Sequence, residues 1–172
     1  VRSDVEIIAL AWDILGKLGI NELNLEINTL GDINDRLNFQ KSFLSWLEIN
    51  KNSLDIDSQN RINKNPLRIF DSKNIHTKKI LESAPRLLDF LSEKSHERYL
   101  NLKKQLEGLK IPYVENFNLV RGLDYYTHTA FEITSGLLGS QATVCGGGRY
   151  DSLIKQMGGK DTPAIGFAIG LE

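Results

Sequence analysis

The residue pattern of this chain changes twice, and this change constrains the fold more than any other feature. Helical periodicity dominates from about residue 32 to residue 112, and glycines nearly vanish there. Strand-like patterns occur at 22–28 before this block and in four segments after Pro112. Those segments are 113–115, 129–134, 141–145 and 164–169. The pattern indicates an α+β protein, divided into residues 1–31, an inserted mainly helical domain at 32–112, and residues 113–172.

The helices are predicted from apolar periodicity and capping residues. Residues 3–18 indicate an amphipathic helix that begins with a capping box of Ser3 and Glu6 and ends at Gly19. Further helices are predicted over 34–49, within 50–65, near 75–83, from Pro85, over 93–109 and over 152–157. The expected buried side chains are Leu37, Leu44 and Leu47 in 34–49, and Tyr99, Leu102, Leu106 and Leu109 in 93–109.

The stretch Leu119–Thr127 carries the densest chemistry. It places Arg121, Asp124, Tyr125 and Tyr126 within six residues, and a strand pattern follows at once. Arginine makes planar, permanently charged contact with carboxylates and phosphates, and a ligand can partner buried tyrosine hydroxyls. These residues suit a small anionic ligand with polar edges. The alternative is the ordinary start of a strand with one surface salt bridge.

Two glycine-rich stretches follow. Val144–Asp151 contains Gly146, Gly147 and Gly148 and ends in Arg-Tyr-Asp, and we expect its glycines to form a turn-like region. In Pro163–Glu172, small residues alternate with apolar ones, and Gly166 and Gly170 mark places where a ligand or another backbone comes close.

The three stretches, in this order, resemble the histidyl-tRNA synthetases, a family of class II aminoacyl-tRNA synthetases. The first two resemble the two histidine-recognition signatures of that family, and the third resembles the start of class II motif 3. The resemblance implies part of an antiparallel-sheet catalytic domain with a helical insertion. Motifs 1 and 2 would precede Val1, so we expect a fragment that is inactive by itself and whose parent protein is a histidine-tRNA ligase.

The resemblance also implies roles for individual residues. Arg121 would be the catalytic cation that stabilises charge on the α-phosphate of ATP. The histidine pocket would be formed by Arg121, Asp124, Tyr125, Tyr126, Gly146, Gly147, Gly148 and Tyr150. Tyr126 would hydrogen-bond the imidazole, the glycines would form the floor, and core packing is the alternative for Tyr125. ATP would contact Arg121, Gly166, Gly170 and Glu172 as a substrate, with Mg²⁺ but no identified protein ligand for the metal.

The implied partners are histidine, ATP, tRNA(His) and a second copy of the parent protein, in the cytoplasm. The tRNA would contact residues 32–112, whose cations could equally form a solvated face. The net charge of −1 argues against a dedicated nucleic-acid module but allows a local basic patch. Cys145 and the three histidines, His76, His96 and His128, give no zinc spacing, and no apolar run reaches membrane-spanning length.

Three functions are compatible with the sequence. The first is a working synthetase. The second is a catalytically silent relative that serves as a regulatory subunit in histidine biosynthesis, a group that usually lacks the insertion and the intact pattern at residues 121–126. The third is a helical binding module with an appended sheet, against which the glycine-rich strands argue.

Overall fold

The computed structural model describes residues 1–119, 125–137 and 143–170. The α-helices are α1 (Arg2–Lys17), α2 (Ile33–Asn50), α3 (Ile56–Arg61), α4 (Ile75–Leu81), α5 (Glu93–Gly108) and α6 (Leu153–Gln156). Short 3-10 helices span Lys51–Ser53, Pro66–Asp71 and Leu87–Phe90. The strands are β1 (Leu23–Thr29), β2 (Val114–Glu115), β3 (Thr127–Ser135), β4 (Thr143–Arg149) and β5 (Ile165–Ile169). The predicted α+β class is confirmed.

The strands form a single sheet in the order β2-β1-β3-β4-β5. The short β2 pairs parallel to β1, and the other neighbours pair antiparallel. The register aligns Asn28, Ala130, Gly148 and Gly166 in one row across four strands. The three successive glycines of β4 therefore lie within a paired strand, so the prediction of a turn-like region at Gly146–Gly148 is wrong.

Helices α1 and α5 pack together against one face of this sheet. Ile8 and Leu15 from α1 join Leu102 and Leu106 from α5 in one buried cluster, which also includes Phe131 of β3. Helix α1 ends at Lys17, and Gly19 terminates it as predicted, because its φ of +80° permits a Schellman turn with hydrogen bonds from Gly19 and Ile20. Because α5 contributes to the core beneath the sheet, the helical segment of the sequence serves two different cores.

The second core lies within the helical block, which we define as residues 32–91. Phe43, Leu47, Ile62 and Ile69 are fully or almost fully buried there. The rings of Phe43 and Phe70 stack with their centroids 4.7 Å apart. This cluster is separate from the one beneath the sheet, so the block has its own apolar centre.

The chain segments that enter and leave the helical block are joined at its base. Asp32 caps α2 and exchanges hydrogen bonds with Asp35 in a capping box. The other carboxylate oxygen of Asp35 accepts a hydrogen bond of 2.8 Å from the amide of Ser92, just before α5. The carbonyl of Gly31 accepts a hydrogen bond from the backbone amide of His128 in β3. The block is thus held to the sheet by a narrow neck.

Three local predictions are wrong. Helix α1 begins at Arg2 without a side-chain cap, so Ser3 lies inside the first turn, where it cannot form the predicted capping box with Glu6. Leu37 is 49% exposed because the buried stripe of α2 runs through Asp35, Phe39, Phe43 and Leu47 instead. Leu109 is 55% exposed because it follows the last residue of α5, where the chain turns away through Lys110 with a φ of +57°.

Candidate active site

The candidate site lies on the face of the sheet opposite α1 and α5. Side chains alternate between the two faces along a strand. A Cβ on Gly147 would meet the ring of Phe131, which belongs to the core under α1 and α5. Gly148 and Gly166 therefore point the other way, and a Cβ on either would meet a tyrosine. The two glycines therefore leave the sheet surface beneath the tyrosines free of side chains at these positions.

Three tyrosines gather over these glycines. The centroids of the Tyr125 and Tyr126 rings are 4.8 Å apart, and Tyr150 lies 6.2 Å from each with its ring nearly perpendicular. Such edge-to-face contacts are the favoured arrangement of aromatic rings. Leu30 and Ala130 pack beneath them, and Leu87 of the helical block lies at the side. Tyr126 is buried, whereas Tyr125 and Tyr150 are half-buried.

Close approach explains why glycine is required at the centre of this cluster. A Cβ on Gly148 would lie 2.6 Å from the carbonyl oxygen of Thr129 and 2.8 Å from Cδ1 of Tyr126. On Gly166 it would lie 2.8 Å from the hydroxyl oxygen of Tyr150. Any side chain at these positions would displace a tyrosine or the backbone.

The remaining predicted site residues differ in how close they lie to the tyrosine cluster. Gly146 pairs with Glu132 and Ala168, two residues along each strand from the tyrosine-bearing row. Gly147 faces the α1 side, so a ligand above the tyrosine side could meet only its backbone. No atom of the described residues lies within 4 Å of the position that a Cβ on Gly170 would occupy. Arg121, Asp124 and Glu172 lie outside the residues that the structure describes.

A buried ion-pair network adjoins the tyrosines, and the sequence reasoning missed it. Asp4 of α1 is fully buried and accepts a hydrogen bond of 2.8 Å from Nε of Arg149, whose Nη2 also contacts the same carboxylate oxygen. The second oxygen of Asp4 accepts from Nη2 of Arg98 at 2.9 Å and from Oγ1 of Thr129 at 3.1 Å. Nη1 of Arg149 donates to Asp151 at 2.8 Å. The network joins α1, α5, β3 and β4.

The network keeps both of its central groups charged. Burial alone would raise the pKa of Asp4, but the hydrogen bonds and charge of Arg149, together with Arg98, hold it below its ordinary value of 3.8. Burial alone would lower the pKa of Arg149, whereas Asp4 and Asp151 raise it. One sequence signal pointed to Asp4, since a carboxylate occupies the apolar stripe of α1 together with Ile8, Ala11 and Leu15.

His128 lies between the network and the neck of the helical block. It has a φ of +51° at an irregularity in the pairing of β3 with β4. Its Nδ1 is buried and has no hydrogen-bond partner among the residues that the structure describes. Burial and the nearby charge of Arg98 lower the pKa of His128, which favours a neutral imidazole. The sequence gives this histidine no zinc-type spacing and no other signal of a role.

A cleft of about 670 Å³ separates the edge of the sheet from the helical block. Leu30 and Leu87 belong both to its wall and to the tyrosine cluster, so the cleft adjoins the site. At its rim the guanidinium of Arg86 lies 5.8 Å from the ring centroid of Phe117, which brings the block and the sheet edge together. Its charged lining residues balance in sign, and they are Arg36, Lys78, Arg86, Glu26, Glu82 and Glu115.

Two absences apply to the part of the chain that the structure describes. Among those residues no cluster of His, Cys, Asp and Glu side chains could hold a metal ion. None of the helices there combines the length and the apolar character that crossing a membrane requires.

Comparison with known proteins identifies the family. The profile described as "Histidyl-tRNA synthetase" matches residues 1–172. A protein of Prochlorococcus marinus strain AS9601 named "Histidine--tRNA ligase" is 87% identical over the whole chain, which spans 40% of that relative.

Solved structures agree. The apo histidyl-tRNA synthetase of S. aureus superimposes with a TM-score of 0.77 at 38% identity, and the match covers 99% of this chain and 41% of that one. A protein of Bacillus halodurans titled as an ATP phosphoribosyltransferase regulatory subunit/histidyl-tRNA synthetase matches at a TM-score of 0.53 and 21% identity. That match covers 97% of this chain and 47% of the other, and it shows the fold alone. With a tyrosine cluster over a glycine floor and a profile match along its full length, the chain belongs to the histidyl-tRNA synthetase family.

Proposed function

We propose that this chain supplies the histidine pocket of a histidine-tRNA ligase, which activates histidine with ATP and transfers it to tRNA(His). The chain spans about 40% of the length of its relatives, so this activity belongs to the whole protein. The observation that carries the proposal is the cluster of Tyr125, Tyr126 and Tyr150 over Gly148 and Gly166 in a member of this family.

The reaction has two steps. A carboxylate oxygen of histidine attacks the α-phosphorus of ATP, an O–P bond forms, and the bond to the β-phosphate oxygen breaks to release pyrophosphate. A ribose hydroxyl at the 3′ end of the tRNA then attacks the histidyl carbonyl, loses its proton, and displaces AMP. Negative charge grows on the phosphate oxygens in the first step, so a fixed cation gives the greatest stabilisation.

The tyrosine hydroxyls suit an imidazole, which has one donor and one acceptor nitrogen when neutral. We assign the imidazole contact to Tyr126, with Tyr150 lining the pocket and Tyr125 packing against both. Gly146 and Gly148 would form the floor, with Gly147 contributing backbone only. A pocket of paired polar groups rejects amino acids that would leave those groups unsatisfied.

We assign the cation of the first step to Arg121, with Asp124 beside the substrate. The flanking residues support this assignment. Nδ2 of Asn28 donates to the carbonyl of Leu119 at 3.1 Å, and Tyr125 joins the tyrosine cluster. The chain is thus held next to the pocket on both sides of residues 120–124.

The ATP site would extend toward the end of β5. Gly166, Gly170 and Glu172 are our candidates for contacts with the nucleotide, although Gly166 also faces Tyr150 and so adjoins the amino acid. Mg²⁺ would accompany the ATP phosphates, and we assign no protein ligand to it. Activity in the cytoplasm as a homodimer completes the proposal.

The helical block is our candidate for contact with tRNA(His). Sequence alone favoured an insertion at 32–112, but Tyr99, Leu102, Leu106 and Ile111 fill the core beneath the sheet. We therefore propose that the insertion comprises residues 32–91 and that α5 belongs to the catalytic domain. The neck formed by Asp35 and Ser92 supports this boundary.

A regulatory subunit without catalytic activity is the second candidate, because the Bacillus halodurans protein shares the fold. Two features favour the ligase: the unbroken Arg-Gly-Leu-Asp-Tyr-Tyr at 121–126 and the long helical block. Pyrophosphate exchange by the full-length protein separates the two. We expect exchange that depends on histidine and that falls at least about a hundredfold in Arg121→Ala, since each charge-stabilising group contributes on this scale. Absence of exchange in the unmodified protein would favour the regulatory role.

A further inference from the structure

We propose that Asp4 and Arg149 are positioning residues that set the place of Tyr150 in the histidine pocket. This inference rests on the proposed function, because it assigns a task to residues around a pocket defined there. It concerns groups that would not touch histidine themselves. Asp4 is fully buried beneath the sheet, and Arg149 is almost as buried.

The guanidinium of Arg149 links two carboxylates. Its Nε and Nη2 contact Asp4, and its Nη1 donates to Asp151 at 2.8 Å. Arg149 and Asp151 are the immediate chain neighbours of Tyr150. Planar guanidinium contacts of this kind fix orientation as well as distance. The backbone on both sides of Tyr150 is therefore tied to one rigid group, which is itself anchored in α1.

Hydrogen bonds to the segment before β5 complete the positioning. The amide of Tyr150 donates to the carbonyl of Ala164 at 2.8 Å, and the amide of Ala164 donates to Asp151 at 3.2 Å. Gly166 follows two residues later, beneath the hydroxyl of Tyr150. The same carboxylate that contacts Arg149 thus fixes the strand over which the tyrosine lies.

The chemistry of Asp4 argues for positioning rather than simple stabilisation. A buried ion pair gains little stability over apolar residues of similar size, because both charges lose their hydration. Its hydrogen bonds are directional, however, and Asp4 uses both oxygens, with Arg98 and Thr129 completing the set. Residues of α1, α5, β3 and β4 meet at this one carboxylate, and their contacts restrict the guanidinium of Arg149 to one position.

The test uses the full-length enzyme and four variants: Asp4→Asn, Arg149→Lys, Asp151→Asn and Tyr150→Phe. Michaelis constants for histidine and for ATP are measured by pyrophosphate exchange. We expect each of the first three to raise the histidine constant about tenfold, the scale of one weakened hydrogen bond, and to leave the ATP constant within about twofold. In a Tyr150→Phe background, Asp4→Asn should raise the Michaelis constant for histidine little further, because both changes act through the same hydroxyl.

Matched variants show whether the effect is specific to the link between Asp4 and Tyr150. Asp13→Asn breaks the exposed Asp13–Lys17 pair on the same helix and should change neither constant. If Asp4→Asn fails to fold, Asp151→Asn tests the same link from a half-exposed position. Equal rises in both Michaelis constants, or full additivity with Tyr150→Phe, would overturn the positioning role. An unchanged histidine constant in Tyr150→Phe itself would instead refute the pocket assignment on which the inference rests.

Discussion

The hydroxyl oxygen of Tyr150 lies directly over Gly166, 2.8 Å from the position that a Cβ on that glycine would occupy. Real Cβ atoms do not approach other atoms so closely, so the tyrosine and the glycine are matched in shape. The match joins β5 to the residue that follows β4. It also means that the size of residue 166 controls the height of the hydroxyl above the sheet.

We therefore predict that Gly166→Ala in the full-length enzyme weakens histidine binding by about 1–2 kcal/mol, because the hydroxyl must shift and lose its hydrogen-bond geometry. The matched control is Gly170→Ala, since none of the residues that the structure describes comes within 4 Å of a Cβ at that position. Calorimetric titration with histidine measures the difference. Equal affinity in the Gly166 and Gly170 variants would show that the Tyr150 hydroxyl does not contact the amino acid.

Removal of single hydroxyls tests the tyrosines themselves. Tyr126→Phe and Tyr150→Phe should each weaken histidine binding by about 1–3 kcal/mol, because each removes a hydroxyl of the pocket and leaves a polar atom of the bound histidine unsatisfied. The rings remain, so the edge-to-face packing and the thermal midpoint should change little. If both variants bind histidine like the parent protein and lose stability instead, the tyrosines are core residues.

Local patterns predicted much of this fold. Periodicity predicts the strands and the longer helices because each buries one stripe or one face. The tyrosines that the structure brings together lie in two short motifs, and for that reason the sequence points to them as candidate site residues. Periodicity could not show which core an amphipathic helix faces. The sequence pattern therefore places α5 within the predicted insertion, and its residues Leu102 and Leu106 pack in the core beneath the sheet.

The ion-pair network was beyond local reasoning for a different reason. Asp4 and Arg149 are separated by 145 residues, and no spacing rule connects them. Only the assembled sheet brings the start of α1 to the end of β4. The three glycines show a similar limit, because alternation along β4 places Gly148 under the tyrosines and turns Gly147 toward Phe131.

The boundary proposed for the insertion leads to a deletion prediction. Replacing residues 32–91 with a short glycine-serine linker should preserve histidine-dependent pyrophosphate exchange, because the two ends of the block lie near each other and a short loop closes at small entropic cost. The amide of Ser92 donates to Asp35 at 2.8 Å, and a Cβ on Gly31 would lie 3.0 Å from Cδ2 of Leu91. Transfer to tRNA should fall at least about tenfold more than exchange, if the block provides phosphate contacts.

Deletion of residues 33–111 provides the comparison. It removes Tyr99, Leu102 and Leu106 from the core beneath the sheet, and each such loss costs about 2–5 kcal/mol. We expect this larger deletion to abolish folding, as judged by circular dichroism and thermal melting. An equal loss of exchange and transfer in the smaller deletion would mean that the block supports the active site and does not serve tRNA alone.

The stability of the helical block should depend on Asp55. Its carboxylate accepts hydrogen bonds from the amide and hydroxyl of Ser58 at 3.0 and 2.6 Å, from the hydroxyl of Thr77 at 2.7 Å and from that of Ser72 at 3.2 Å. These bonds connect α3 to α4 and to the segment between them. Asp55→Ala should lower the free energy of local unfolding of the block by about 2 kcal/mol, since it removes a helix cap and several charge-assisted hydrogen bonds. Asp57→Ala, an exposed acid in the same first turn, is the control.

This contribution should also depend on pH with a defined sign. Burial alone would raise the pKa of Asp55, but the bonds from Ser58, Thr77 and Ser72 outweigh it and hold the pKa well below the ordinary value of 3.8. A carboxyl group whose pKa is lowered by folding stabilises the fold at pH values above 3.8, and this stabilisation is lost as the pH falls below that value. Amide hydrogen exchange in α3 and α4 of the full-length protein measures the free energy of local unfolding. At pH 7 and pH 5 this free energy should be lower in the Asp55→Ala variant than in its parent, and the difference between the two proteins should become smaller below pH 3.8. A difference in this free energy that stayed constant down to the lowest accessible pH would mean that the lost side-chain volume, and not the charge, sets the stability of the block.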